Sequence, residues 1–276
     1  MKKRSQFETI KEYGRGIIGG LLFSLPLLYT MEVWWTGFIA SPEKLVAFIV
    51  FTFLLLLGYN RHAGMRKDSS FKDILHESVE EITLGFLVTF FFLLLINKIN
   101  LSMSFDEIAG KVIVETMMVA IGVSVGTAQL GQNDKRNSGK EKNKEEDKFL
   151  EMVILSICGA VLISSSVAPT EEILQIAIVS EIPHLLLMIV TALVASAIVL
   201  FFSDFKGSGT TEGGLMKVIL PVTINYTVAL VMGFILLWIF GRTDGFSFYI
   251  IVAQMVVLSI PAAIGASAGR LLIDNQ

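Results

Sequence analysis

The 276-residue chain has few of the residues that usually mark an enzyme or a transition-metal site. It contains one cysteine, three histidines and six prolines. A single cysteine, Cys158, excludes an intrachain disulfide and any metal site with two cysteine ligands. The chain also lacks the GxxxxGK[ST] pattern of a phosphate-binding loop, which argues against ATP-driven pumping by this chain.

Charged residues are scarce as well, at 17% of the chain, whereas hydrophobic residues make up 53%. Soluble domains usually carry about 25% charged residues. Because a helix needs about 20 apolar residues to cross a bilayer, the long uncharged runs are expected to be membrane-spanning helices. The sequence therefore predicts an all-α polytopic membrane protein with eight transmembrane helices, at about 15–37, 43–59, 74–97, 107–130, 149–175, 182–203, 215–240 and 246–272.

Lysine and arginine are distributed unevenly among the predicted loops. One set of alternate loops holds 18 of the 22 basic residues, and the other set holds only Lys44, Lys98, Lys111 and Arg242. Translocated loops are poor in Lys and Arg. Both termini are therefore predicted to face the cytoplasm.

A charged segment divides the chain nearly in half. Residues 131–148, "GQNDKRNSGKEKNKEEDK", have mixed charge and no apolar periodicity, which indicates a solvated cytoplasmic linker. The predicted domains are a first four-helix unit at 1–130, the linker at 131–148 and a second four-helix unit at 149–276.

The two halves resemble each other weakly. At an offset near 140, "GGLLFSLPLLYTMEV" (19–33) lies over "GAVLISSSVAPTEEI" (159–173), which pairs Thr30 with Thr170 and Glu32 with Glu172. At an offset of 139, Glu115 pairs with Gln254. Four helices per unit make the predicted arrangement two parallel four-helix repeats, related by an axis along the membrane normal.

Acidic residues lie inside several of the predicted spans. An unpaired acid within a bilayer normally faces a cavity and belongs to an ion or proton pathway. No Lys or Arg is expected at that depth, so that a cation would have to offset the carboxylates. We therefore predict a cation site in the outer half of the bundle, with ligands from Glu32, Glu172, Glu115, Gln254, Thr30 and Thr170. The alternative is that these glutamates are hydrated in the outer headgroup zone.

Three further residues are predicted to line the pathway or its gate. Glu80 is predicted as an inner-gate acid, whereas Glu77 suits an ion pair at the cytoplasmic surface. Asn225 either lines the path or makes an interhelical hydrogen bond. Glu171, beside Glu172, is either part of the path or a hydrated surface residue.

The segments "GLLFSLPLLYTMEVWW", "SVAPTEEI" and "FGRTDG" resemble a family of prokaryotic multi-pass integral membrane proteins of unknown function. Its recurring "TMEVWW" and "APTEE" segments fall here on Thr30 to Trp35 and on Ala168 to Glu172. The resemblance implies a protein of the prokaryotic plasma membrane and brings no activity with it.

The leading functional hypothesis is a cation channel or a gradient-driven cation transporter for H⁺, Na⁺, K⁺ or Ca²⁺. Its predicted partners are the lipid bilayer and an inorganic cation such as a bound Ca²⁺ or Na⁺, with no other cofactor and no nucleic acid, while a homo-oligomer stays open. The alternative is a non-transporting scaffold or accessory protein. An intramembrane hydrolase is disfavoured, because "EEILQIA" has Gln175 where prenyl-protease-like enzymes have arginine. We therefore expect no enzyme.

Overall fold

The computed structural model describes residues 6–64, 70–100, 102–130, 145–204 and 216–274. For residues 6–9, 63, 129, 145–148, 201–204, 216–218 and 271–274 it describes the backbone alone. These ranges contain ten α-helices, one π-helical turn and no strand. The predicted all-α polytopic membrane protein is confirmed in this respect.

The chain divides into two compact units, one of residues 1–148 with 276 and one of residues 149–275. The helices of the first are α1 (Gln6–Leu28), α2 (Met31–Ile39), α3 (Pro42–Tyr59), α4 (Phe71–Leu95) and α5 (Phe105–Leu130), and the π-helical turn Asn60–Gly64 follows α3. The next helices are α6 (Glu145–Ser164), α7 (Glu171–Val179), α8 (Ile182–Asp204), α9 (Met216–Ile239) and α10 (Phe248–Asp274).

Within the described ranges, six helices are long and apolar enough to cross a membrane, namely α3, α4, α5, α8, α9 and α10. The number rises to seven if α1 and α2, which meet at a bend of 86°, count as one span. In α6 the apolar part, Phe149–Ser164, is shorter. The expected eight continuous spans are therefore not found, because the predicted spans 15–37 and 149–175 are each broken into a long and a nine-residue helix.

In both breaks a threonine hydroxyl donates a hydrogen bond to a backbone carbonyl. Thr30 is extended (φ −88°, ψ 115°), and its hydroxyl donates to the Pro26 carbonyl at 2.7 Å. Thr170 is also extended (φ −72°, ψ 152°), and its hydroxyl donates to the Val167 carbonyl at 2.8 Å. A threonine side chain that bonds to the backbone offers it an alternative to the helical hydrogen bond. Pro169, which has no N–H, also prevents α6 from continuing through the second break.

The core of the first unit is built around α5. In α5, 83% of the apolar stretch is buried, whereas only 28% of the corresponding stretch is buried in α3 and in α4. α5 packs against α1, α2, α3 and α4, and its Gly126 meets the backbone of Gly19 on α1. Glycines spaced four apart let membrane helices approach closely. In the second unit α10 packs against α7, α8 and α9, and its Gly265 and Gly269 contact Gly159 of α6.

The connection between the last two helices is built alike in the two units. After α4, Asn97 has a positive φ of 57° and Lys98 N donates to Leu93 O at 2.8 Å. After α9, Gly241 has a positive φ of 71° and Arg242 N donates to Leu237 O at 2.7 Å. Each residue named in the second connection lies 144 positions after its counterpart in the first.

Candidate functional site

Glu115, on the central helix α5, is fully buried, and neither of its carboxyl oxygens has a hydrogen-bond partner in the described part of the chain. Glu115, Val119 and Gly122 share one face of α5. Val119 clusters with Leu28, the last residue of α1. The Lys111 backbone packs against Gly37 of α2 and lies 2.5 Å from the position that a Cβ would occupy if Gly37 had one. Glu115 therefore lies at the level of the break between α1 and α2.

Three buried threonines lie at the level of Glu115 along α5. The hydroxyls of Thr52, Thr89 and Thr116 have no partner among the described residues. On the buried face of α4, Thr89 lies midway between Gly85, which meets Ala120, and Leu93, which clusters with Val112. That midpoint corresponds to Thr116, because the two helices are antiparallel.

Thr52 of α3 reaches the same level by a similar argument. Asn60, at the end of α3, is bonded to Ser124 of α5. Thr52 lies as many residues before Asn60 as Thr116 lies before Ser124. Thr52 also lies on the buried face of α3. Together with Glu115, the three hydroxyls form a buried polar layer, which we call the Glu115 layer (Thr52, Thr89, Glu115 and Thr116).

One basic residue lies closer to Glu115 than the sequence predicted. Lys111 is 6% exposed and lies one helical turn from Glu115. Its Nζ lies 2.7 Å from Glu107 Oε1 and 3.3 Å from the Lys98 carbonyl. The expectation that no Lys or Arg occurs at this depth does not hold for Lys111. This residue was counted with the outer loop although it falls within the predicted span 107–130, and it is buried in α5. Its charge is nevertheless paired with Glu107.

The other predicted ligands Glu32 and Glu172, and the predicted pathway residue Glu171, are less buried. Glu32 is half-buried in the first turn of α2, and Glu171 and Glu172 are exposed in the first turn of α7. The hydroxyls of Thr30 and Thr170 are half-buried and bonded to the carbonyls in the helix breaks. Among the residues that the structure describes, no three acidic, histidine or cysteine side chains form a group that could hold a metal ion. Of the predicted carboxylates, Glu115 alone is fully buried.

Gln254 is also fully buried, but it serves the connection before α10. Its Nε2 donates to the Arg242 carbonyl at 3.1 Å, and the Arg242 guanidinium donates to the Pro169 carbonyl in the break before α7. In the first unit it is Lys111 that donates to the carbonyl of Lys98. In the second unit Gln254 thus makes the contact that Lys111 makes in the first.

The contacts of α5 and α10 correspond at an offset of 143 rather than 139. Gly122 and Gly126 contact Gly19, as Gly265 and Gly269 contact Gly159. The predicted pairing of Glu115 with Gln254 is therefore shifted by one helical turn. Apolar helices match almost equally well at shifts of one turn, since the same faces then coincide.

An acidic cavity of about 60 Å³ lies between α1, α4 and α5, at the end of the unit where α1 begins. Glu80, the predicted gate residue, lines it and accepts a hydrogen bond from the Tyr13 hydroxyl. The cavity is lined by Glu12, Tyr13, Glu77, Glu80, Glu81, Leu84, Val123 and Thr127.

Glu81 is the buried acid of this cavity, and the sequence analysis chose its neighbour Glu80 instead. Glu81 is 5% exposed and accepts a hydrogen bond of 2.7 Å from Asn60 Nδ2, while Asn60 also bonds to Ser78 and Ser124. The signal was present in the sequence. Ser78, Glu81 and Gly85 form a small and polar stripe at helical spacing, whereas Glu80 lies on the exposed side.

Asn225, predicted on the pathway, has a hydrogen-bonded network in the second unit. Ser156 Oγ donates to Asn225 Oδ1 at 2.9 Å, and Asn225 Nδ2 donates to Ser267 Oγ at 3.0 Å. Ser196 Oγ lies 2.7 Å from Ser267 Oγ. The network connects α6, α8, α9 and α10 through neutral groups, as in the alternative of an interhelical hydrogen bond.

No curated protein and no solved structure matches the chain. A family model described as "Putative integral membrane protein (DUF2391)" matches residues 12–273, which is nearly the whole chain. The match agrees with the apolar helices and confirms the resemblance carried by the "TMEVWW" and "APTEE" segments. The chain therefore belongs to this family of integral membrane proteins of unknown function.

Proposed function

We propose that the protein is a cation channel or a gradient-driven cation transporter. The observation that carries the proposal is Glu115, a fully buried carboxyl group without a hydrogen bond to any described residue, in the middle of a helix long and apolar enough to span a membrane. Buried polar groups are normally hydrogen-bonded, and an unpartnered charge in an apolar interior costs several kcal/mol. Acids kept in such places usually serve ion or proton pathways.

A further polar group, the Ser24 hydroxyl, lies between the Glu115 layer and the acidic cavity. Val123, in the cavity wall, is eight residues from Glu115 along α5, which is about 12 Å at 1.5 Å per residue. The Ser24 hydroxyl, buried without a partner in the described residues, lies between these levels, 3.2 Å from the position of a Cβ on Gly122. The Ser24 hydroxyl therefore supports a route between the two, beside the apolar cluster of Leu28, Val119 and Val123.

The proposal includes an internal repeat of two four-helix units with eight membrane crossings. In this arrangement α1 and α6 each cross the membrane, and the nine-residue helices α2 and α7 lie beyond the breaks. The matching helix order, the matching glycine contacts and the matching connections before α5 and α10 support it. The cytoplasmic termini and the prokaryotic plasma membrane remain predictions of the sequence.

The test is cation flux into liposomes that contain the purified full-length protein. The Glu115→Gln variant keeps the side-chain shape and removes the charge, so that flux should fall by roughly tenfold or more. Glu181→Gln, at an exposed glutamate before α8, is the matched control and should conduct like wild type. Equal flux through all three proteins would refute the role of Glu115.

A further inference from the structure

The two units differ systematically in the ionisable groups of their interiors. The offsets given by the contacts are 140 for α1 and α6, 144 for α4 and α9, and 143 for α5 and α10. At these offsets none of the ionisable residues of the cavity and of the Glu115 layer recurs. The corresponding pairs are Glu12 with Met152, Tyr13 with Val153, Glu77 with Pro221, Glu80 with Ile224, Glu81 with Asn225, and Glu115 with Leu258.

The structural parts of the units, in contrast, are retained. Gly19 has its counterpart in Gly159, Ser124 in Ser267, and both serines bond to a buried asparagine. The second unit even places Arg270 where Thr127 lines the acidic cavity of the first. The packing has thus been kept in both units, whereas the acidic groups of the cavity and of the Glu115 layer have no acidic counterparts at the corresponding positions of the second unit.

We propose that the cation pathway runs through the first unit alone, that Glu81 and Glu115 are its two binding stations, and that the cation is monovalent. The inference rests on the proposed function. Each station has one buried carboxyl group. Glu81 accepts a hydrogen bond from Asn60, which also bonds to Ser78 and Ser124, and Glu77 and Glu80 line the same cavity. Glu115 lies at the level of three threonine hydroxyls, with no second carboxyl group in the layer.

The number of carboxylates determines the charge of the ligand. One carboxylate neutralises one positive charge, and neutral oxygens would have to supply the remaining ligands. Ca²⁺ sites use six to eight oxygens and usually more than one carboxylate. A proton, Na⁺ or K⁺ therefore fits the Glu115 station, through which every ion on this pathway passes. The second unit, with Asn225 bonded to serines, maintains the fold.

A matched pair of hydroxyl deletions tests the asymmetry. Thr116 and Ser259 occupy corresponding positions on α5 and α10, and both are buried. The Thr116 hydroxyl has no partner in the described residues, whereas Ser259 Oγ donates to the Val256 carbonyl. Thr116→Val and Ser259→Ala each remove a hydroxyl and keep an apolar side chain of similar size.

The experiment measures fluxes of H⁺, Na⁺, K⁺ and Ca²⁺ into liposomes with the full-length protein, each ion with its own indicator dye. Thr116→Val should lower the monovalent flux by roughly tenfold, as should Glu81→Gln, since the binding oxygens or charge are lost. Ser259→Ala should conduct like wild type. Thermal unfolding of each variant in detergent checks that the fold is intact, and Glu115→Asp, which keeps the charge, should retain part of the flux lost in Glu115→Gln.

Each other outcome overturns a defined part of the proposal. If Ser259→Ala loses as much flux as Thr116→Val, the pathway is not confined to the first unit, although cation transport stands. If Ca²⁺ is the only cation carried, the monovalent assignment is wrong. If wild type carries no cation at all, the proposed function fails and the inference fails with it.

Discussion

Glu115 and Glu81 are both buried carboxyl groups, but their surroundings differ. Glu81 accepts a hydrogen bond from Asn60 and borders a cavity, whereas Glu115 has no partner in the described residues. A hydrogen-bonded carboxyl contributes to packing as well as to charge, and its removal leaves its donor unsatisfied. Glu115 therefore offers the cleaner separation of transport from stability, which is why the flux test relies on it.

Gly126 is a residue with a tight packing demand. A Cβ at this position would meet the Gly19 backbone, so that α1 and α5 would have to separate. We expect Gly126→Ala to destabilise the protein by about 1–3 kcal/mol, the usual cost of overpacking. Gly14→Ala on the same pair of helices is the control, because nothing lies within 4 Å of its added Cβ.

Thermal unfolding in detergent measures this difference. Gly14→Ala should unfold at or slightly above the wild-type temperature, since alanine favours a helix over glycine. An unchanged midpoint for Gly126→Ala would mean that the α1–α5 contact is looser than the structure describes.

At the scale of the elements, the uninterrupted spans could be predicted and the breaks could not. Helices α3, α4 and α9 agree with the predicted ranges 43–59, 74–97 and 215–240 within a few residues, because the length of an apolar run sets them. The breaks at Thr30 and Thr170 involve side-chain hydrogen bonds to the backbone, which the length of an apolar run does not reveal. Pro169 is a sequence signal for the second break, but a proline within an apolar run does not by itself show that the helix ends there.

The breaks predict that the first residues of α2 and α7 are accessible from outside the cell. In a background with Cys158→Ala, which removes the buried native cysteine, Met31→Cys and Glu171→Cys should react with a membrane-impermeant maleimide. Both positions are exposed and follow the break directly. In a continuous helix at 15–37, position 31 would instead lie about 9 Å inside the span.

Val50→Cys, on an exposed apolar position in the middle of α3, is the control for burial in lipid and should stay unlabelled. If Met31→Cys reacts as slowly as Val50→Cys, then α2 lies within the membrane, and the bend leads into a re-entrant segment.

At the scale of the whole molecule, the sequence predicted two similar halves, and single residues limited the accuracy of their alignment. The match of Thr30 with Thr170 agrees with the two breaks, but that of Glu115 with Gln254 is one turn off. The roles of Lys111 and Glu81 were also missed, since burial on a central helix depends on which neighbours surround it. The predicted linker lies largely outside the described residues, and residues 145–148 begin α6.

The number of membrane crossings can be decided by four single cysteines in the same background. They are Ser138→Cys in the predicted linker, Ser102→Cys between α4 and α5, Asp244→Cys between α9 and α10, and Asn275→Cys near the C-terminus. With eight crossings, positions 138 and 275 share the cytoplasmic side, and positions 102 and 244 share the outer side. With six crossings, by α3 to α5 and α8 to α10 alone, positions 138 and 244 would share a side.

We expect impermeant maleimide on intact cells to label 102 and 244 only, because 18 of the 22 basic residues follow that partition. Labelling at 275 but not at 244 would contradict the four-crossing second unit and with it the internal repeat.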